Sequence, residues 1–150
     1  MNKQVSNTDI DDLLKRLEDD YIKALDSNEC STVEGFIQQF LDDSWEYNQS
    51  NIDMITSVMS RYTKGELKKT TFSESFSRMV NHLQKKLSKL DADKEYPLIH
   101  SDLGASVLVS FVDGLVIQYY IGVYSAGDLK KLSSQLKQVV LNALKTPIMD

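Results

Sequence analysis

Leu103 to Tyr124, LGASVLVSFVDGLVIQYYIGVY, is the only long apolar run in the chain, and its polar interruptions fall on a narrow stripe. Asp102, Ser106, Ser110 and Asp113 are spaced by four, four and three residues, which on a helix places them on one side. A helix that is apolar over most of its circumference has to be covered over most of it. The run is long enough for a membrane test, since about 20 apolar residues cross a bilayer. Asp113 would then lie near mid-membrane at about 2.5–3.5 kcal/mol, with Ser106, Ser110 and Gln118 adding to the cost. The pattern therefore predicts a doubly covered soluble helix, without a membrane partner.

Behind this run, Leu129, Leu132, Leu136, Val139 and Ala143 recur at steps of three and four, a seam that packs helix on helix. Gly114 sits mid-run, where glycine costs about 1 kcal/mol relative to alanine but lets another backbone approach closely. These features predict a helix with one side on the domain core and the other on a second copy of the chain, the last helix completing a four-helix interface. The stripe at Ser106, Ser110 and Asp113, together with Gly114, marks where the subunits meet.

The rest of the chain reads as helix throughout. Ile10, Leu13, Leu14, Leu17, Tyr21 and Leu25 define a first helix over about residues 9–26, with Thr8 or Asp9 as its cap; residues 1–8 form a poorly ordered N-terminus and 9–150 one helical domain. Ser31-Thr32-Val33-Glu34 has the form of a capping box and opens a second helix that turns Val33, Phe36, Ile37, Phe40, Leu41 and Trp45 inward. Ile52, Ile55, Val58, Met59 and Tyr62 mark a shorter third helix ending near Gly65. A second apparent capping box, Thr71 to Glu74, starts a fourth helix with Phe72, Phe76, Met79, Val80, Leu83, Leu87 and Leu90 on one face. Asp91 to Pro97 is loop-like, and Ser125 to Gly127 joins the last two helices, with Gly127 as the flexible residue. The fold class is all-α, six helices, with no strand and no internal repeat.

Composition narrows the function. The chain has 150 residues, 41% of them apolar, enough for one domain with a real core. A net charge of −5 argues against this chain alone gripping nucleic acid, which requires a concentrated basic face. Lys85, Lys86 and Lys89 suit a solvated helix end. Cys30 is the single cysteine and has no disulfide partner, and no signal peptide is legible, so the reading is a cytoplasmic protein. His82 and His100 have no metal-binding spacing, and no phosphate loop or nucleophile elbow occurs, so neither metal, cofactor nor enzymatic activity is expected. The pairs Asp19-Asp20 and Asp42-Asp43 diverge by about 100° on a helix and read as solvated faces. Large adaptable side chains populate the second to fourth helices: Phe36, Phe40, Trp45, Met54, Met59, Tyr62, Phe72, Phe76 and Met79. Such a set suits either an ordinary core or a pocket for apolar ligands.

Phe111-Val112-Asp113-Gly114-Leu115 within the apolar helix, followed after a Gly-Asp turn by the leucine seam, resembles the last two helices of TetR-family transcriptional regulators. Asp9 to Leu14 resembles the helix that in that family leads out of the DNA-binding head. The resemblance covers the family's regulatory domain and implies a homodimer, formed through residues around Gly114, Gln118, Leu132, Leu136 and Val139. It also implies a small apolar effector bound among Phe36, Phe40, Met59, Tyr62, Phe76 and Met79. The helix-turn-helix head is absent from this chain, so DNA would be met only through a segment not present. The alternative is a helical interaction or structural module without a ligand, or a headless partner that heterodimerises with a full-length regulator.

Overall fold

The computed structural model describes the backbone of residues 7–65 and 69–149, with side chains described for all of these except residues 7–10, 62 and 69–72. Six α-helices follow in order: α1 (Asn7–Ser27), α2 (Val33–Ser50), α3 (Ile52–Thr63), α4 (Lys69–Leu90), α5 (Leu103–Tyr120) and α6 (Ala126–Leu144), with a 3-10 turn at Pro97–His100 before α5. Among the described residues there is no strand. The chain is all-α, as its periodicity predicts. Of the expected N-terminal tail, residues 1–6 lie outside the described residues, whereas Asn7 and Thr8 already belong to α1, so neither Thr8 nor Asp9 is its cap.

The inward face of α2 is the one its spacing predicts, with Val33, Phe36, Ile37, Phe40, Leu41 and Trp45 all buried. Its start differs. Thr32, in an extended conformation, accepts a hydrogen bond at 3.0 Å from the Gly35 N–H, so the Ser31–Glu34 box does not form. Glu34 instead accepts from the Tyr96 hydroxyl, whose ring lies 5.7 Å beneath the Lys145 ammonium. The start of α2 thereby meets the end of α6. One Å-scale link further along fixes their relation: Trp45 Nε1 donates to Ser133 Oγ at 3.1 Å, and that hydroxyl donates to the Leu129 carbonyl. Residues 34 and 45 of α2 pair with residues 145 and 133, so the two helices are antiparallel.

The segment Asp91–Asp102 shows more order than its loop-like composition suggests. Asp91 is buried and accepts from the Glu95 and Tyr96 N–H groups at 3.0 Å each and meets His100 Nε2 at 2.8 Å. This folds the chain into the 3-10 turn that delivers Ile99 to the core. Gln84 of α4 then bridges the turn to α5, donating to the Ile99 carbonyl and accepting from the Ala105 N–H at 3.0 Å. Asp102 makes no side-chain cap, so Gln84 satisfies an N–H that the start of α5 would otherwise leave unpaired. Gly104 allows the approach: a Cβ there would lie 2.6 Å from the Leu98 carbonyl oxygen and 2.7 Å from Ile99 Cα. Within the protomer the close backbone contact is at Gly104, while a Cβ at Gly114, on the face expected to meet a second copy, would have nothing within 4 Å.

α5 is shorter than the apolar run. It stops at Tyr120, where Gly122 at φ +84° allows its N–H to reach the Tyr119 carbonyl and the Val123 N–H to reach that of Gln118. Gly122, not Gly127, is the glycine that ends the helix; Gly127 lies in the first turn of α6. That turn opens on a true capping box, Ser125 with Asp128. For α4 the expected box falls inside the helix, which begins two residues earlier at Lys69; the side chain of Thr71 lies outside the described residues.

Within the chain, α5 is covered on one side only. Gly104, Ala105, Leu108, Val109, Val112 and Val116 are buried, whereas Leu103, Ile117 and Ile121 are 60%, 54% and 71% exposed. With Val107, Ser110 and Gly114 these form an outward row at steps of four and three. Length and composition alone also qualify Leu103–Tyr120 to cross a membrane, the only described helix of which this holds. Gly104→Ala should lower the unfolding free energy by about 2 kcal/mol, because the methyl group meets backbone rather than a yielding side chain. Urea unfolding with an unchanged m-value would register this as a lower midpoint.

Candidate functional site

A half-open cavity of about 510 Å³ lies between α1, α2, α4 and α5, with Ile55 of α3 at one edge. Each wall is a helical face. α1 contributes Leu17, Asp20, Tyr21 and Ala24, and α2 contributes Phe40, Asp43, Ser44, Tyr47 and Ser50, both at steps of three and four. Phe76, Met79 and Val80 come from α4, and Val109, Val112 and Asp113 from α5. The volume is that of a site for a small organic molecule.

Of the six pocket residues the resemblance implies, Phe40, Phe76 and Met79 line this cavity. Phe36 is fully buried beneath it and stacks on Phe40, ring centroids 6.2 Å apart. Met59 is largely exposed on α3 and not part of the wall, and the Tyr62 side chain lies outside the described residues. Of the interface candidates, Ser110, Gly114, Leu132 and Val139 are exposed, and Gln118 and Leu136 are half-buried. Asp113 is exposed as well, and it lines the cavity.

The polar lining is the part that periodicity does not reveal. Asp20 and Asp43, one from each acidic pair, face the cavity rather than bulk water alone, and Glu46 stands at its rim. Asp20 Oδ2 accepts from the Tyr47 hydroxyl at 2.8 Å and lies 4.0 Å from Arg16 Nε. Asp43 is hydrogen-bonded to Gln39, and burial raises its pKa. The Tyr120 hydroxyl donates to Asn48 Oδ1 at 2.8 Å at the α2–α5 seam. Buried Asn28 donates from Nδ2 to the Phe36 carbonyl at 3.1 Å, closing the inner end.

Two groups stand apart. The Tyr21 hydroxyl is buried and has no hydrogen-bond partner, although its ring packs edge-on against Phe40 at 6.2 Å. Burial, with the nearby Asp113 charge, pushes its pKa up. Asp113 lines the cavity and is exposed, and partial burial of its carboxylate raises its pKa to about 6. It takes no hydrogen bond or ion pair from any described residue. The signal for both was present in sequence: Tyr21 lies on the apolar face of the first helix, and Asp113 breaks the apolar run.

Among the described residues no group of three or more His, Cys, Asp or Glu side chains is arranged to hold a metal ion. The arrangement places an exposed carboxylate beside a buried, unsatisfied phenol and apolar walls. Compared with family models, curated proteins and solved structures, the chain matches none.

A carboxyl whose pKa is higher in the folded than in the unfolded chain makes folding most favourable when it is protonated. That contribution is complete below about pH 4 and is lost as pH rises through about 6. Asp113→Asn should therefore match the parent near pH 4 and exceed it by about 1 kcal/mol at pH 7.5. The gain falls short of the full pKa displacement because cavity water screens the charge. Chemical unfolding of both proteins across pH 4–8 checks the divergence.

Proposed function

We propose that this chain is an effector-binding regulatory domain of the kind found in TetR-like regulators, taking a small, mainly apolar molecule in the cavity and dimerising through α5 and α6. The cavity carries this reading: a half-open space of about 510 Å³ between four helices has the size of a small-molecule site. The outward row on α5, with exposed Leu132 and Val139 on α6, supports the dimer. Exposed apolar side chains on either side of small Ser110 and Gly114 are what a partner helix covers, and the gap above Gly114 admits one. A second copy accounts for this row better than a bilayer does, because the same helix carries Asp113 on its flank and a well-packed core face. In a regulator of this design, DNA contact belongs to a separate head, and transmission runs through α1, which forms a wall of the cavity.

The proposal is tested in two parts. Sedimentation should give a dimer at micromolar concentration, and Ile117→Asp and Gly114→Leu should give folded monomers, since neither side chain supports the protomer core. A monomeric parent would sink the dimer. The uncharged fluorophore N-phenyl-1-naphthylamine should bind at micromolar concentration and raise the melting temperature by mass action. Ala24→Phe, which projects a ring into the cavity, should reduce that affinity by about tenfold or more.

A further inference from the structure

The charges around the cavity are one-sided. Asp20, Asp43, Glu46 and Asp113 all line it, and no lysine, arginine or histidine does so among the described residues. Arg16, which is exposed, lies 4.0 Å from Asp20 and is not part of the lining. Two of the four carboxylates have a described partner, Asp20 in Tyr47 and Asp43 in Gln39, while Glu46 and Asp113 are exposed. Asp113 has no described partner, and beside it the Tyr21 hydroxyl is buried and unsatisfied. A buried hydroxyl without a partner is costly to keep unless something supplies one. Tyr21, Phe40, Tyr47 and Phe76 add ring faces, which attract positive charge.

We propose that the cavity selects lipophilic organic cations, seating a positively charged nitrogen between the Asp113 carboxylate and Tyr21 and the apolar remainder against Met79, Val80 and Val109. This rests on the effector-binding reading above and narrows it to one chemical class. An anion of the same shape meets four carboxylates and no positive partner. A neutral molecule fills the apolar walls but leaves the Asp113 charge uncompensated.

The test uses the whole chain and three ligands with one tail: decyltrimethylammonium, decanol and decyl sulfate, each below its micellar concentration, titrated calorimetrically at pH 7.5. The cation should bind at least about tenfold more tightly than decanol, with decyl sulfate weakest. Asp113→Asn should lower cation affinity about tenfold and leave decanol unchanged. Tyr21→Phe, which keeps the ring, should have a smaller effect. The titratable groups facing Asp113 are Tyr21 of α1 and Tyr120 of its own helix, with Asp20, Asp43, Glu46 and Tyr47 around the same space; the described α3 and α4 lining carries none. Cation affinity should therefore fall on going from pH 7.5 to pH 5 in the parent, as Asp113 takes up its proton, and much less in Asp113→Asn. Equal binding of cation and decanol, tightest binding of the sulfate, or a cation preference that survives Asp113→Asn would overturn the cation assignment while leaving an effector cavity in place. Failure of all three ligands to bind would overturn both.

Discussion

A backbone-on-backbone contact at Gly104 sets where α5 lies, and most of the fold depends on that placement. With no Cβ in the way, the first turn of α5 settles on the 3-10 turn at Leu98 and Ile99, and Gln84 ties both to α4 through one amide. The turn itself is held by Asp91, whose two oxygens take up the N–H groups and the imidazole that would otherwise be unpaired. From that anchor α5 runs past α2, where Tyr120 meets Asn48. α6 returns along α2 and is held there by the buried Trp45–Ser133 hydrogen bond. The core of large apolar side chains fills around this frame rather than determining it, since apolar contacts carry little directional information.

The helices were legible in the sequence because each has one apolar face repeating at three and four residues, and the inward set of α2 is legible residue by residue. Helix ends were less so. The box at Ser31–Glu34 satisfies the spacing rule, yet Glu34 has a stronger use as the acceptor for Tyr96, more than sixty residues away, and Thr32 takes over the cap. Gly127 reads as the glycine of the last turn, whereas the left-handed backbone that ends α5 is at Gly122, and the close approach inside the protomer is at Gly104, a glycine that periodicity does not single out. Periodicity reports that a glycine stands in a helix; only the partner across from it says why. The cavity shows the same limit. Phe40, Phe76 and Met79 were found by size, but Asp20 and Asp43 read as solvated because a charge beside another charge on a helix usually is.

Not every buried polar group away from the cavity is paired, since the Ser75 hydroxyl has no partner, but Trp45, Asp91 and, at the inner end of the cavity, Asn28 are hydrogen-bonded. At the cavity, Tyr21 and Asp113 are not, though they are close enough for the carboxylate charge to act on the phenol. Fold stability alone would favour phenylalanine and a neutral residue at these positions. A buried phenol left unpaired beside an open space makes the domain less stable than its framework permits.

Consecutive helical residues point about 100° apart, and on α5 three of them have three different surroundings: Val112 the core where it meets the cavity, Asp113 the exposed side of the cavity and Gly114 the uncovered outer row. The helix is in that sense a cam. A rotation of about 10° about its axis carries side-chain ends roughly 1 Å along an arc set by the helix radius, moving the cavity wall and the outer row together and in fixed proportion. Whatever turns α5 at one of these surfaces turns it at the others.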